Sequence, residues 1–172
     1  AMDPATGLDA PRHIGITGGK IAAISTAPLN GRTVVDVSGQ VVAPGFIDLH
    51  AHGQTRPDLE IKARDGVTTA LDQEVGVYPV APWYEAMTGK SPLNFGATVS
   101  HIAARFAAFH PGVEIGHWPI NTAPVIALGA MPAGANRVAT TTELRAMEAS
   151  LRRGLDEGAL GVGFGINYTP AA

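Results

Sequence analysis

An α/β fold with parallel strands is predicted for most of the chain, because short apolar segments alternate with helix-like segments from residue 45 onwards. Strands are indicated by short apolar, partly β-branched runs at 45–49, 67–71, 95–100 and 159–165. Helices are indicated at 57–64, 83–87 and 102–109, and behind a capping box of Thr140 and Glu143. Strands joined through helices run parallel, so this alternation predicts either an α/β barrel or an open α/β sheet.

The first 43 residues follow a different pattern, which predicts a small β layer. Four short strands are indicated, at 14–16, 21–24, 33–37 and 41–43. The first two flank Gly18 and Gly19, which supply the positive φ angles that a tight turn requires. We therefore expect a β segment at 1–43, followed by an α/β unit at 44–172.

Composition argues against several classes of protein. The chain has 172 residues, of which 45% are hydrophobic, and its net charge of −3 comes without a basic cluster that would suit nucleic acid. No apolar run reaches the ~20 residues of a membrane span. The absence of cysteine excludes disulfides and thiolate metal sites, and it fits a cytoplasmic location. Both ends look abrupt, so we expect an N-terminal fragment of a longer protein.

Two histidines at the end of the strand at 45–49 are candidate metal ligands. Side chains two residues apart on a strand point the same way, so His50 and His52 project from one face. Zinc prefers such nitrogen ligands, and α/β barrels collect their chemistry at the carboxyl ends of their strands. Taken alone, the His-x-His pattern fits two half-buried structural histidines better than a metal site, so the surrounding sequence has to decide.

That surrounding sequence resembles the amidohydrolase superfamily. The run Val42-Ala-Pro-Gly-Phe-Ile-Asp-Leu-His-Ala-His-Gly53 resembles the passage from a β-sandwich into the first barrel strand, where both histidines bind metal. Gly66-Val-Thr-Thr69 resembles the start of the second strand. The stretch from Glu157 to Pro170 is similar to the fourth-strand region of the N-acyl-D-amino-acid deacylase branch. The resemblance implies a β-sandwich segment followed by the first four strands of a TIM-type (β/α) barrel.

The resemblance also implies an anionic third ligand, for which Glu74 is the best candidate. Many members use a carboxylated lysine and some deacylases a cysteine, but this chain has no cysteine and no lysine at a predicted strand end. We place Glu74 at the end of the second barrel strand, one strand spacing (~4.8 Å) from the histidines. There it would help to hold one or two divalent ions, with zinc expected. Asp72, one pleat deeper, is the alternative ligand, and a loop-facing Glu74 also stays open.

Three further residues are candidates for contacting substrate or for supporting the ligands. Asp48 lies one pleat before His50 on the same face, so it would orient that ligand or pack beneath it. His101 ends the third predicted strand, where it would reach the metal site or a substrate carbonyl; a structural role fits it equally well. Tyr168, at the mouth of the fourth strand, would contact substrate or pack as a core aromatic.

The implied activity is metal-dependent hydrolysis of a linear amide, the deacylation of small N-acyl-D-amino acids, in which the metal lowers the pKa of a bound water to ~7. The resemblance places two more histidine ligands and the general-base aspartate on later strands. We therefore expect the 172-residue chain alone to be inactive, to bind metal poorly and to aggregate or form homo-oligomers. Two alternatives stay open: a cyclic-amide hydrolase of the hydantoinase or dihydroorotase type, and a non-catalytic α/β domain with structural histidines.

Overall fold

A computed structural model describes residues 1–53, 55–113, 115 and 137–164. The chain divides into two compact units, Ala1–Gly45 and Phe46–Ala172. The boundary predicted from the sequence, between residues 43 and 44, lies two residues before this division. In the described residues the first unit contains β-strands only, and the second combines helices with a parallel sheet.

The first unit contains two antiparallel strand pairs. Strand β1 pairs with β2, and β3 pairs with β4. In chain order these strands are Met2–Asp3, Leu8–Asp9, His13–Thr17 and Lys20–Ser25. Gly18 and Gly19 have φ angles of 59° and 74° in the turn between β3 and β4, so this part of the prediction is confirmed.

The strands predicted at 33–37 and 41–43 are wrong, because both stretches lack regular secondary structure. Their β-branched residues favour extended backbone, but a strand also needs a hydrogen-bonded neighbour along its length. Val34 and Val41 are exposed instead of packing against a second layer. The β-sandwich implied by the resemblance therefore stays an expectation.

The second unit is built on a four-stranded parallel sheet in the order β5-β6-β7-β8. Its strands are Phe46–Asp48, Val67–Val77, Asn94–Ser100 and Val162–Gly163. The helices are α1 (Arg56–Arg64), α2 (Val80–Met87), α3 (His101–Phe109) and α4 (Thr141–Asp156). The predicted α/β class with parallel strands is confirmed, whereas closure into a barrel stays an expectation.

The core of this unit lies between the central strands of the sheet and the helices that pack against them. Residues 96–100 of β7 are buried throughout, and the side chains of Val80 and Trp83 on α2 are buried with them. Helix α4 approaches β7 closely at Gly154, where an added Cβ would lie 2.5 Å from the side chain of Val99. A glycine at this position therefore lets the helix lie against the strand.

Helix α4 begins at the predicted capping box. The Thr140 hydroxyl accepts a hydrogen bond from the Glu143 amide at 3.3 Å, and the Glu143 carboxylate accepts one from the Thr140 amide at 2.7 Å. The predicted apolar face of this helix is only partly covered, since Met147 is buried while Leu144 and Leu155 are exposed. No helix in the described part of the chain is both long and apolar enough to cross a bilayer.

Candidate metal centre

Three side chains converge where β5 ends and β6 passes beside it. The Nε2 atom of His50 lies 2.8 Å from Oε2 of Glu74, and Nε2 of His52 lies 3.2 Å from the same oxygen. The two Nε2 atoms are 2.9 Å apart. The sequence predicted this group of three, and the structure brings all three together.

The backbone at the end of β5 explains why both histidines face the same way. Ala51, between them, is buried and its amide donates to the carbonyl of Leu71 on β6 at 2.9 Å. His50 and His52, on either side of this anchored residue, are both exposed. Gly53 then turns the chain at a φ angle of 81°, a left-handed conformation that favours glycine.

Asp48 supports this turn from within β5. Its Oδ1 accepts a hydrogen bond from the His50 amide at 3.1 Å, and its Oδ2 accepts one from the Nζ of Lys62 at 3.0 Å. The Lys62 ammonium is the main cause that lowers the pKa of the Asp48 carboxyl, and the His50 amide adds a smaller effect. Asp48 therefore lies beneath a candidate ligand, and Lys62 is a contact that sequence reasoning missed.

Glu74 lies inside β6, so its predicted position at the end of that strand is wrong by three residues. The strand runs on to Val77 because its pairing with β7 shifts between Asp72 and Val77 and then resumes. A glycine with positive φ, Gly76, occupies this irregular stretch. A glycine within a strand is a sequence signal for such a bulge, but the strand predicted at 67–71 ended before Gly76.

The two alternative candidates in the described residues do not join the group of three. Asp72 is buried, and its Oδ1 accepts a hydrogen bond from the Gly76 amide at 3.0 Å. His101 is the first residue of α3, one position after the end of β7, and its ring packs on that of Phe164 with centroids 4.6 Å apart. Tyr168 lies outside the described residues.

The surroundings of His101 lower the pKa of its imidazole. Burial is the main cause that lowers its pKa, and the positive charge of Arg105 adds to the effect. Its Nδ1 is buried and has no hydrogen-bond partner in the described part of the chain. The structure therefore places His101 against an aromatic ring, and its role in substrate contact stays a prediction.

The donor set fits a divalent cation. Ligands arranged tetrahedrally around zinc at about 2.05 Å lie about 3.3 Å from one another, close to the separations of 2.8 to 3.2 Å in this group. Two imidazole nitrogens and a carboxylate are donors that zinc accepts. The side chain of His50 is 64% exposed and that of His52 is 51% exposed, so one side of the group is open to further ligands or substrate.

Comparison with known proteins identifies the family. The model of the amidohydrolase family matches residues 33–164, which is most of the chain, and the chain therefore belongs to the amidohydrolase family. This match includes the histidine pair and Glu74. No solved structure matches the chain.

Three deacylases of Alcaligenes xylosoxydans xylosoxydans are similar over nearly the whole chain. The chain is 33% identical to a D-aminoacylase over 92% of its own length and 34% of the relative's. It is 33% identical to an N-acyl-D-glutamate deacylase over 95% of its own length and 36% of the relative's. It is 30% identical to an N-acyl-D-aspartate deacylase over 92% of its own length and 34% of the relative's. These similarities confirm the predicted D-aminoacylase-like branch. The chain spans about a third of the length of these relatives.

Dihydroorotases are similar over smaller parts. The chain is 41% identical to the dihydroorotase of Geobacillus thermodenitrificans over 33% of the chain's own length. It is 33% identical to the dihydroorotase of Anaeromyxobacter sp. over 62% of the chain's own length. The similarity to deacylases thus extends further along the chain than the similarity to cyclic-amide hydrolases.

Proposed function

We propose that the intact protein is a metal-dependent hydrolase of linear amides and that N-acyl-D-amino acids are its substrates. The observation that carries this proposal is the convergence of His50, His52 and Glu74 within 3.2 Å of one another. The two histidines lie beyond the carboxyl end of the parallel strand β5, where α/β enzymes place their chemistry. Membership of the amidohydrolase family supports the reaction class.

The three side chains would hold a divalent cation, for which we propose zinc. When bound, such an ion lowers the pKa of a coordinated water and polarises an amide carbonyl. His50 and His52 supply neutral nitrogen donors, and Glu74 supplies one negative charge that offsets part of the ion's charge. Asp48 orients His50 through its backbone amide. The open side of the group leaves room for a small amide substrate.

The choice of substrate depends on the deacylases that resemble the chain. Their names specify D-amino acids, and two of them specify acidic side chains. We therefore propose an N-acyl-D-amino acid and leave its side chain to experiment. The dihydroorotases favour a cyclic amide instead, but they are similar over a smaller share of the chain. A cytoplasmic location belongs to the same proposal.

The direct test is an assay of the intact protein, loaded with zinc, on the N-acetyl derivatives of D-methionine, D-glutamate and D-aspartate. Their L enantiomers and dihydroorotate are assayed in parallel. We expect amine release from at least one D derivative and its loss after treatment with a chelator. Hydrolysis of dihydroorotate without deacylation would replace the linear-amide proposal by the cyclic one.

Substitution of the ligands separates an enzyme from a domain with structural histidines. We expect His50→Ala and Glu74→Gln to lower bound zinc and deacylation by at least ~100-fold while the fold is retained, because each removes a direct donor. His13→Ala and Glu148→Gln are matched controls, since both residues are exposed and lie outside the group. Unchanged zinc content in His50→Ala and Glu74→Gln would refute the metal site.

A further inference from the structure

Strand β6 carries a bulge, and Glu74 lies within it. Between Asp72 and Val77 this strand advances five residues, while the paired strand β7 advances only two, from Ala97 to Val99. The three extra residues fall in the stretch that contains Glu74. Bulges redirect side chains and recur next to active sites.

Two buried polar side chains fix the backbone on both sides of Glu74. After Glu74 along the chain, the Gly76 amide donates a hydrogen bond to Asp72 Oδ1 at 3.0 Å. Before Glu74 along the chain, the Thr98 hydroxyl donates a hydrogen bond that is shared between two carbonyl oxygens. These are the oxygens of Gln73, at 3.1 Å, and Asp72, at 3.3 Å. Asp72 is 3% exposed and Thr98 is 7% exposed, so water does not compete strongly for these bonds.

Two glycines make room for this arrangement. Gly76 has a φ angle of 69°, and an added Cβ would lie 2.7 Å from the Thr98 carbonyl oxygen. At Gly163 on β8 an added Cβ would collide with the Thr98 hydroxyl and lie 2.7 Å from the Glu74 carbonyl oxygen. The backbone around Glu74 is therefore closely confined, while the Glu74 side chain extends to the two histidines.

We propose that Asp72 and Thr98 are positioning residues, which hold the bulge so that the Glu74 carboxylate meets His50 and His52. Asp72 acts through the Gly76 amide and not as a metal ligand. The consequence for metal binding rests on the proposed function, whereas the consequence for the geometry of Glu74 does not. The two can be tested separately.

The experiment uses the intact protein and the variants Asp72→Ala, Asp72→Asn, Thr98→Val and Thr98→Ser, with Thr68→Val as a control. Thr68 is an exposed threonine of the same strand as Glu74. Two measurements need no metal: hydrogen exchange of the Gly76 amide, and the ¹⁵N resonances of the His50 and His52 rings. The third is the affinity for Co²⁺, read from its absorption spectrum.

Faster Gly76 exchange, displaced imidazole resonances and about tenfold weaker Co²⁺ binding in Asp72→Ala and Thr98→Val would support the proposal. Thr98→Ser, which keeps the hydroxyl, is expected to restore all three, and Thr68→Val to change none. Thr98→Val preserves side-chain shape, so it keeps the test valid if Asp72→Ala does not fold.

Two results would overturn the proposal. Unmoved imidazole resonances or unchanged Gly76 exchange in both Asp72→Ala and Thr98→Val would show that the bulge does not position Glu74. Loss of Co²⁺ binding in Asp72→Asn with Gly76 still protected would mark Asp72 as a ligand. If the wild-type protein binds no Co²⁺, the proposed function fails, and the two metal-free measurements still decide the role of the bulge.

Discussion

At the scale of single residues, the position of His50 depends on a chain of polar contacts that reaches into α1. Lys62 on that helix binds the Asp48 carboxylate, which in turn accepts a hydrogen bond from the His50 amide. The side chains of Lys62 and Asp48 are 22% and 27% exposed, so their ion pair is partly shielded from solvent. Such a pair contributes more to local order than one on an open surface.

The first prediction follows from this contact. We expect Lys62→Met to weaken Zn²⁺ binding by roughly tenfold, as is usual when a residue that orients a ligand is removed. Lys62→Arg keeps the charge and should restore most of the affinity. Competition with a chromogenic chelator measures both variants, and Lys90→Met, in the turn after α2, is the control. Equal affinity in Lys62→Met and wild type would contradict the role given to Lys62.

The two histidines were predicted from their spacing of two together with the resemblance of the run around them, and Glu74 was predicted from the anionic ligand that the same resemblance implies. The contacts of Lys62 and Thr98 were missed because they depend on how α1 and β7 pack, which no local pattern specifies. Asp72 was predicted to share the direction of Glu74, but the bulge between them breaks the regular alternation of the strand.

At the scale of elements, α4 shows how far a local signal can predict structure. Its start follows from the capping box, in which Thr140 and Glu143 satisfy each other's backbone amides. Arg137 adds an ion pair with the Glu143 carboxylate. Hydrogen bonding to Arg137 is the main cause that lowers the pKa of Glu143 to about 2, from a usual value of 4.5.

The second prediction concerns the pH dependence of this helix start. A carboxyl group whose pKa is lower in the folded state adds stability that is complete above its unfolded pKa. That stability is lost as pH falls through the folded value. The contribution of Glu143 should therefore be lost between about pH 4.5 and pH 2. In thermal melts, the melting temperatures of wild type and Glu143→Gln should differ at pH 6 and become equal towards pH 2.

The control for this pair of melts is Glu148→Gln, which removes the same charge from the same helix without touching its start. If the difference in melting temperature between wild type and Glu143→Gln stays constant from pH 6 to pH 2, the carboxylate charge does not stabilise the start of α4.

At the scale of the whole molecule, the sheet of the second unit has two edges in the described residues, β5 and β8. Large apolar side chains are exposed near both: Phe46 and Ile47 on β5, and Leu160 and Phe164 beside β8. Unpaired edges with exposed apolar side chains promote association. The alternation of strands and helices predicted this parallel sheet, whereas the short apolar runs at 33–37 and 41–43 gave no information on whether a partner strand exists.

The third prediction follows from these edges. We expect the 172-residue chain to self-associate in sedimentation velocity experiments, with the average mass rising with concentration. Ile47→Lys should reduce this association, because a charge on an edge strand opposes edge-to-edge pairing. Ile61→Lys is the control, since Ile61 is a similarly exposed isoleucine that lies on helix α1 and not on a strand. A monomer at all concentrations, or equal effects of both variants, would contradict the assignment to the sheet edges.

All three candidate ligands belong to a single β-α-β unit, formed by β5, α1 and β6 within residues 46–77. The hydrogen bonds from Ala51 to Leu71 and from Lys62 to Asp48 also lie inside this unit. Mutations elsewhere can therefore accumulate without disturbing how these ligands meet, provided that the bulge keeps its support from β7. The compactness of this unit would keep the three candidate ligands together while distant parts of the chain change.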